Sequence, residues 1–277
     1  MIKDILVNLE ADAQKDRALP FALSIARAFD AHLAGIAFAY DPVLPGYVGA
    51  ELSPILLEQI RDRGLNIAKA RLDLFEEAAR REGISAEHRL IEATQLTASR
   101  EFSRTARRFD LSVVMQTEPG GANNNDLIEA ALFGSGRPVV VVPYVQKEPL
   151  KLDRVLCCWD ASQAAARAIN DALPLLAKAS SCDLLVVDND RTKRDETQIR
   201  GVEMGKHLAR HGLKVGVETV PAGGIDIASA ILDFAADNSA TLLVMGGYGH
   251  SRLREMILGG ATRSILASMT LPVFMSH

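Results

Sequence analysis

Between Val244 and Leu266 the chain reads VMGGYGHSRLREMILGGATRSIL. Gly246, Gly247 and Gly249 follow one apolar run, Gly259 and Gly260 precede another, and Arg252, Arg254 and Arg263 lie among them. Glycines at the end of a strand let backbone N–H groups approach an anion and permit positive φ without a steric penalty. A glycine pair just before a helix leaves that helix's unpaired N–H groups and positive dipole end open to phosphate. The arginines add cations, each worth only about 0.5–1 kcal/mol when partly exposed. The other candidate group is Asp160 in CCWDAS, a carboxylate that can accept hydrogen bonds from ribose hydroxyls or an adenine amino group. Each feature alone has a plain structural reading: a tight turn, a solvated arginine, or Asp160-Ala161-Ser162 capping the next helix. Their convergence on one rim of a sheet is what points to a phosphate-bearing ligand.

The elements that would create such a rim can be read from the pattern. In the second half, short apolar runs at Val155–Trp159, Asp183–Asp188, Lys214–Val220, Thr241–Met245 and Leu271–Met275 alternate with helical spacing at Ala164–Ala179, Asp195–His211, Ile225–Asp237 and Thr262–Met269. Near-continuous apolar strands alternating with helices are the signature of a parallel sheet covered on both faces. The first half repeats the order, with strands expected at Ile5–Leu9, Leu33–Ala39, His88–Ile91, Leu111–Met115 and Val139–Val142, and a long helix from Pro54 to Glu82. The halves also match in sequence: Arg17-Ala18 lies over Arg167-Ala168, Met115 over Met245 and Pro138 over Pro272. The expected fold class is therefore α/β, with two tandem doubly wound parallel-sheet domains, residues 1–146 and 151–277, joined by the polar linker in VQKEPLKLD. Phe133 to Gly136, FGSG, reads as a helix-to-strand turn.

Composition narrows the function classes. The chain has 277 residues, 48% of them hydrophobic and 24% charged, with a formal net charge of −4. That balance gives no footprint for nucleic acid or an anionic membrane surface. No stretch approaches the roughly 20 apolar residues of a membrane span, and no targeting segment is visible, so the expected location is cytoplasmic. The three cysteines, two of them adjacent at Cys157 and Cys158, show no metal-ligand spacing and read as buried reduced thiols. There is no Gly-x-x-x-x-Gly-Lys-Ser/Thr loop, no Gly-x-Ser-x-Gly elbow and no histidine–carboxylate pairing at metal spacing. His250, beside the glycine stretch, is the one histidine considered for chemistry, and no general base can be named. No catalytic residue and no metal ligand is assigned.

With these residues in view, the sequence resembles the tandem universal stress protein family, strongly in the second half and weakly in the first. The resemblance implies a Rossmann-like, adenine nucleotide alpha hydrolase-like fold. ATP-binding members carry Gly-x2-Gly-x9-Gly followed by Ser or Thr, a spacing met by Gly246, Gly249 and Gly259. By resemblance Met245, Gly246, Gly249, Gly259, Gly260 and Thr262 line the phosphates and ribose, Asp160 holds the adenosine end, and Val187 offers its backbone to the base. The family turn is usually Asp-Gly-Ser; here it is Asp160-Ala161-Ser162. Gly260 stands where the motif has a hydroxyl, removing a side-chain hydrogen bond to phosphate worth about 1.5–3 kcal/mol. In the first half Gln116 replaces Gly246, Pro119 replaces Gly249 and Glu10 replaces Asp160, and a proline removes an N–H from the phosphate loop. The implied ligand is ATP, or else ADP or AMP, with or without Mg, in the second domain, acting as a regulatory ligand in a stress response. The alternatives are a nucleotide-free scaffold for a protein partner and a weak ATPase with at most slow hydrolysis. Pairing of Val139–Val142 with Leu271–Met275 would make the chain an intramolecular pseudo-dimer, with or without further homodimerisation.

Overall fold

The computed structural model describes residues 1–41, 53–121, 123–188, 194–222, 224–247 and 260–277. The chain divides into two compact units, Ile2–Arg137 and Pro138–His277, the latter including Met1.

In Ile2–Arg137 the elements are β1 (Asp4–Asn8), α1 (Ala18–Phe29), β2 (His32–Tyr40), α2 (Pro54–Arg81), β3 (Ala86–Ala93), α3 (Gln95–Ala106), β4 (Leu111–Met115) and α4 (Asn125–Gly134). Strand order is β3-β2-β1-β4, and every pairing is parallel. β1, β2 and β4 are buried along nearly their whole length because helices cover both faces. Phe75 of α2 lies directly over Gly35 of β2, where a Cβ would sit 3.0 Å from the ring. The long helix therefore rests on the sheet at its C-terminal half, while its first turn is started by Ser53, whose hydroxyl accepts from Leu56 N, with Pro54 at the first position.

In Pro138–His277 the elements are β5 (Val139–Val142), β6 (Arg154–Cys158), α5 (Gln163–Leu176), β7 (Ser181–Asp188), α6 (Arg194–Arg210), β8 (Val215–Pro221), α7 (Ile227–Asp237), β9 (Leu242–Gly246), α8 (Ala261–Ser268) and β10 (Val273–Ser276). Strand order is β5-β10-β9-β6-β7-β8. All pairs are parallel except β5 with β10, which run antiparallel with Val140 opposite Phe274. The strand expected to end the first half is thus the edge partner of the last strand of the second.

Two expectations about the second unit change. The helix read as Ala164–Ala179 stops at Leu176, because Lys178 and Ala179 donate to Leu175 and Leu176 and tighten the chain into i→i−3 turns. The apolar run Ile225–Asp237 becomes helical only at Ile227, where Asp226 caps it by accepting from the N–H groups of Ala228 and Ser229. No helix among the described residues is long and apolar enough to cross a membrane.

Candidate functional site

Along the second unit the chain runs β6, β7, β8 in one direction across the sheet and then returns to β9 on the other side of β6. The strand order therefore reverses between β6 and β9, and a crevice opens at their carboxyl ends. Asp160 follows β6 and Gly246 ends β9, so both stand at this switch point. α8 returns from the carboxyl end of β9 to the amino end of its parallel neighbour β10, which puts its N-terminus, with Gly260 and Thr262, on the same rim. Gly249, Gly259, His250, Arg252 and Arg254 lie outside the described residues, and Arg263 is exposed on the first turn of α8.

The turn after β6 is built by its own side chains. Asp160 is exposed, one carboxylate oxygen accepts from Ser162 N at 2.9 Å, and the other carries no bond among the described residues. Ser162 is the N-cap of α5 and accepts from Ala165 N at 3.1 Å. Between them Ala161 has φ +62°, a left-handed conformation that suits glycine and that alanine adopts at a cost of about 1–2 kcal/mol. Trp159, beside Asp160, has its indole N–H buried without a hydrogen-bond partner among the described residues.

Gly246 is held by packing. A Cβ there would come within 2.5 Å of Ala165 N and 2.6 Å of Ala164 C, so the end of β9 runs against the backbone of the first turn of α5. Gly260 is the opposite case. It is the N-cap of α8 with extended backbone, it makes no side-chain cap, and a Cβ would meet nothing within 4 Å. A side chain at the N-cap of α8 would therefore have room. Thr262 is 6% exposed and Met245 5%, so each contributes mainly as wall. Val187 is reached by a ladder argument: Leu185 O accepts from Trp159 N, and peptide groups two residues apart in a strand point the same way. The N–H and C=O of Val187 accordingly point toward the side on which β6 has already ended at Cys158.

The same switch point in the first unit lies between β1 and β4, and there the chain fills it. Glu10, the counterpart of Asp160, is 6% exposed and Gln116, the counterpart of Gly246, 1%. Glu10 accepts from Asn124 Nδ2 at 2.9 Å and Asn8 Nδ2 at 3.2 Å. Arg71 reaches in from α2, donating through Nε to the Glu10 carbonyl and through its terminal nitrogen to Asp16, both at 2.6 Å. Asp16 also accepts from the backbone N–H groups of Glu10 and Leu19. Burial, then the neighbouring Asp16 charge, pushes the Glu10 carboxyl up to about 7. Burial also raises Asp16 above its ordinary value despite its bonds to Leu19 and Arg71. At the start of α4 the Asn124 N–H donates to Thr117 Oγ1 and the Asn125 N–H to Asn123 Oδ1, so two N–H groups of the helix end that would receive an anion are already engaged. The substitution of Glu10 was visible in the sequence, but Arg71, Asp16 and Asn124 were not, since nothing in their spacing ties them to it.

Residues 151–277 match the sequence pattern described as the Universal stress protein family. Those residues are a universal stress protein domain. Universal stress protein Slr1230 from Synechocystis is 29% identical over 154 residues, which cover 55% of this chain and 50% of that one, so the chain matches about half of that relative's length. Among solved structures, a universal stress protein from Archaeoglobus fulgidus superposes with a TM-score of 0.75 at 18% identity, covering 98% of this chain and 95% of that one. The functionally unknown protein PA1789 from Pseudomonas aeruginosa gives 0.62 at 17% identity, covering 99% and 92%. At such identities the likeness is one of fold, and it extends over both halves of the chain. The carboxyl rim described above, from Asp160 to Thr262, lies inside the universal stress protein domain. Among the described residues no group of three or more His, Cys, Asp and Glu side chains could hold a metal ion. Two of the thiols, Cys157 and Cys182, are buried with their sulfurs 3.7 Å apart.

Proposed function

We propose that the chain is a tandem universal stress protein that binds one adenine nucleotide, ATP or else ADP or AMP, with or without Mg, at the switch point of its second domain, and acts in the cytoplasm as a ligand-responsive regulator. The observation that carries this reading is the contrast between equivalent positions. Asp160 is exposed, with one carboxylate oxygen unbonded among the described residues and the N-terminus of α8 on the same rim, whereas Glu10 is sealed under Arg71 and Asn124. In this reading Asp160 and the Val187 backbone receive the adenosine, and the N–H groups of α8, with Gly246, Gly249, Gly259, Gly260, Met245 and Thr262 around them, receive the phosphates. The ligand regulates by binding two conformations of the protein with different affinity.

Calorimetric titration with ATP, ADP and AMP, with and without Mg, tests it. Saturation at one nucleotide per chain, lost in Asp160→Asn and retained in Glu10→Gln, is the expected result. Two sites per chain, or unchanged binding in Asp160→Asn, would contradict the assignment. A second reading, a nucleotide-free scaffold, draws on the missing hydroxyl at Gly260, and absence of binding at millimolar nucleotide would favour it.

A further inference from the structure

The longest helix of the chain carries an apolar stripe that no described residue covers. α2 docks on its sheet through Ala68, Leu72, Phe75 and Ala79. About 100° around the helix from that face, Ile60, Ile67 and Leu74 remain 37%, 41% and 45% exposed. They recur every seven residues, with Leu56 continuing the row toward the N-terminus and Ala70 between the last two. One apolar stripe suffices to hold a helix on a sheet. A second, at heptad spacing and with β-branched residues at two of its three positions, is a seam for another helix.

The charges beside the seam indicate which helix. Arg61 and Glu76, more than about 100° away around the helix, are engaged by Asp41 at 3.1 Å and His88 at 2.6 Å. Arg63 and Glu77, on the outer flank of the seam, have no ion pair among the described residues. Laid parallel against a second copy of α2, the outer flanks would lie on opposite sides of the pair, and Arg63 and Glu77 would not meet each other. Laid antiparallel about a two-fold axis between Ile67 and Ala70, Ile67 of each copy packs on Ala70 of the other. Arg63 of each copy then comes within side-chain reach of Glu77 of the other on the same flank, twice by symmetry.

We infer that α2 is a homodimerisation helix, pairing antiparallel with a second copy of this chain through Ile60, Ile67 and Leu74 and orienting the pair through Arg63 and Glu77. Three apolar layers make a small interface, so the dimer forms and dissociates with concentration.

Sedimentation equilibrium on the full chain across the micromolar to submillimolar range tests this, with circular dichroism melts as a folding control for each variant. The wild-type mass should rise from 29.9 kDa toward twice that value. Ile67→Asp should remain at the single-chain mass at the highest concentration while melting like wild type. Arg63→Glu should weaken the dimer at least tenfold, and Arg63→Glu combined with Glu77→Arg should restore it. A wild-type protein of single-chain mass throughout would overturn the inference. So would a dimer indifferent to Ile67→Asp, or a double variant as weak as Arg63→Glu.

Discussion

Replacing Glu10 by Gln should change how the stability of the first unit depends on pH. Its carboxyl is pushed from 4.5 to about 7 by burial and by Asp16, while the unfolded chain holds it near the ordinary value. An acid whose folded pKa is raised keeps its proton in the folded state while the unfolded chain gives it up. Wild-type stability is therefore fully present below pH 4.5, falls as pH rises, and has lost this contribution above about pH 7. A shift from 4.5 to about 7 at 1.36 kcal/mol per pH unit corresponds to about 3 kcal/mol. Glutamine keeps the acceptor oxygen for Asn124 and Asn8 and has no charge to bury. Urea unfolding of both proteins at pH 4, 6, 7 and 8 should show nearly equal stability at pH 4. At pH 8 the variant should be the more stable by up to about 3 kcal/mol. Asp16, also raised by burial, leaves a residual slope of the same sign in the variant. Parallel pH profiles for wild type and variant would refute the account, because they would place the titration somewhere other than Glu10.

Further outcomes follow from single positions on the second rim. Ala161→Gly removes the left-handed strain of about 1–2 kcal/mol and adds unfolded-state entropy of about 0.4–1 kcal/mol, so thermal unfolding should show a net gain of roughly 0.5–1 kcal/mol; a loss would mean the turn is not held as described. Gly260→Ser places a hydroxyl in open space at the start of α8, and calorimetry should show at least a tenfold gain in nucleotide affinity, the lower end of what a bond to a charged group supplies. Unchanged affinity there would put the phosphates elsewhere. Gly246→Ala drives a methyl into the backbone of Ala164 and Ala165, and chemical denaturation should show destabilisation of about 1–3 kcal/mol whether or not nucleotide is present.

The second rim was legible because its information is local. Apolar runs fixed β4 and β5 to the residue, and Asp160, Gly246 and Gly260 each sit within a residue or two of an element end that the pattern marks. Parallel order then forces those ends onto one side. What the sequence could not disclose were approaches between distant segments. Gly246 is required by the first turn of α5, far away in the chain, so its glycine reads equally well as a phosphate contact until the packing is seen. The seal over Glu10 depends on an arginine from the middle of α2 and an asparagine at the head of α4, brought together only by the sheet. Helix ends were missed where tightening turns or an Asx cap, and not hydrophobicity, decide the boundary, as at Leu176 and Ile227.

The antiparallel match of β5 with β10 separates the covalent order of the chain from its cohesive order. A fragment cut at Lys151, where the linker invites a cut, would start after β5 and leave the outer edge of Val273–Ser276 without its pairing partner. That strand is buried along its whole length, so such a fragment should precipitate or recruit a strand from a neighbouring molecule. A fragment beginning at Pro138 keeps β10 paired and should be the more soluble of the two, which makes residues 138–142 a molecular cork for that edge.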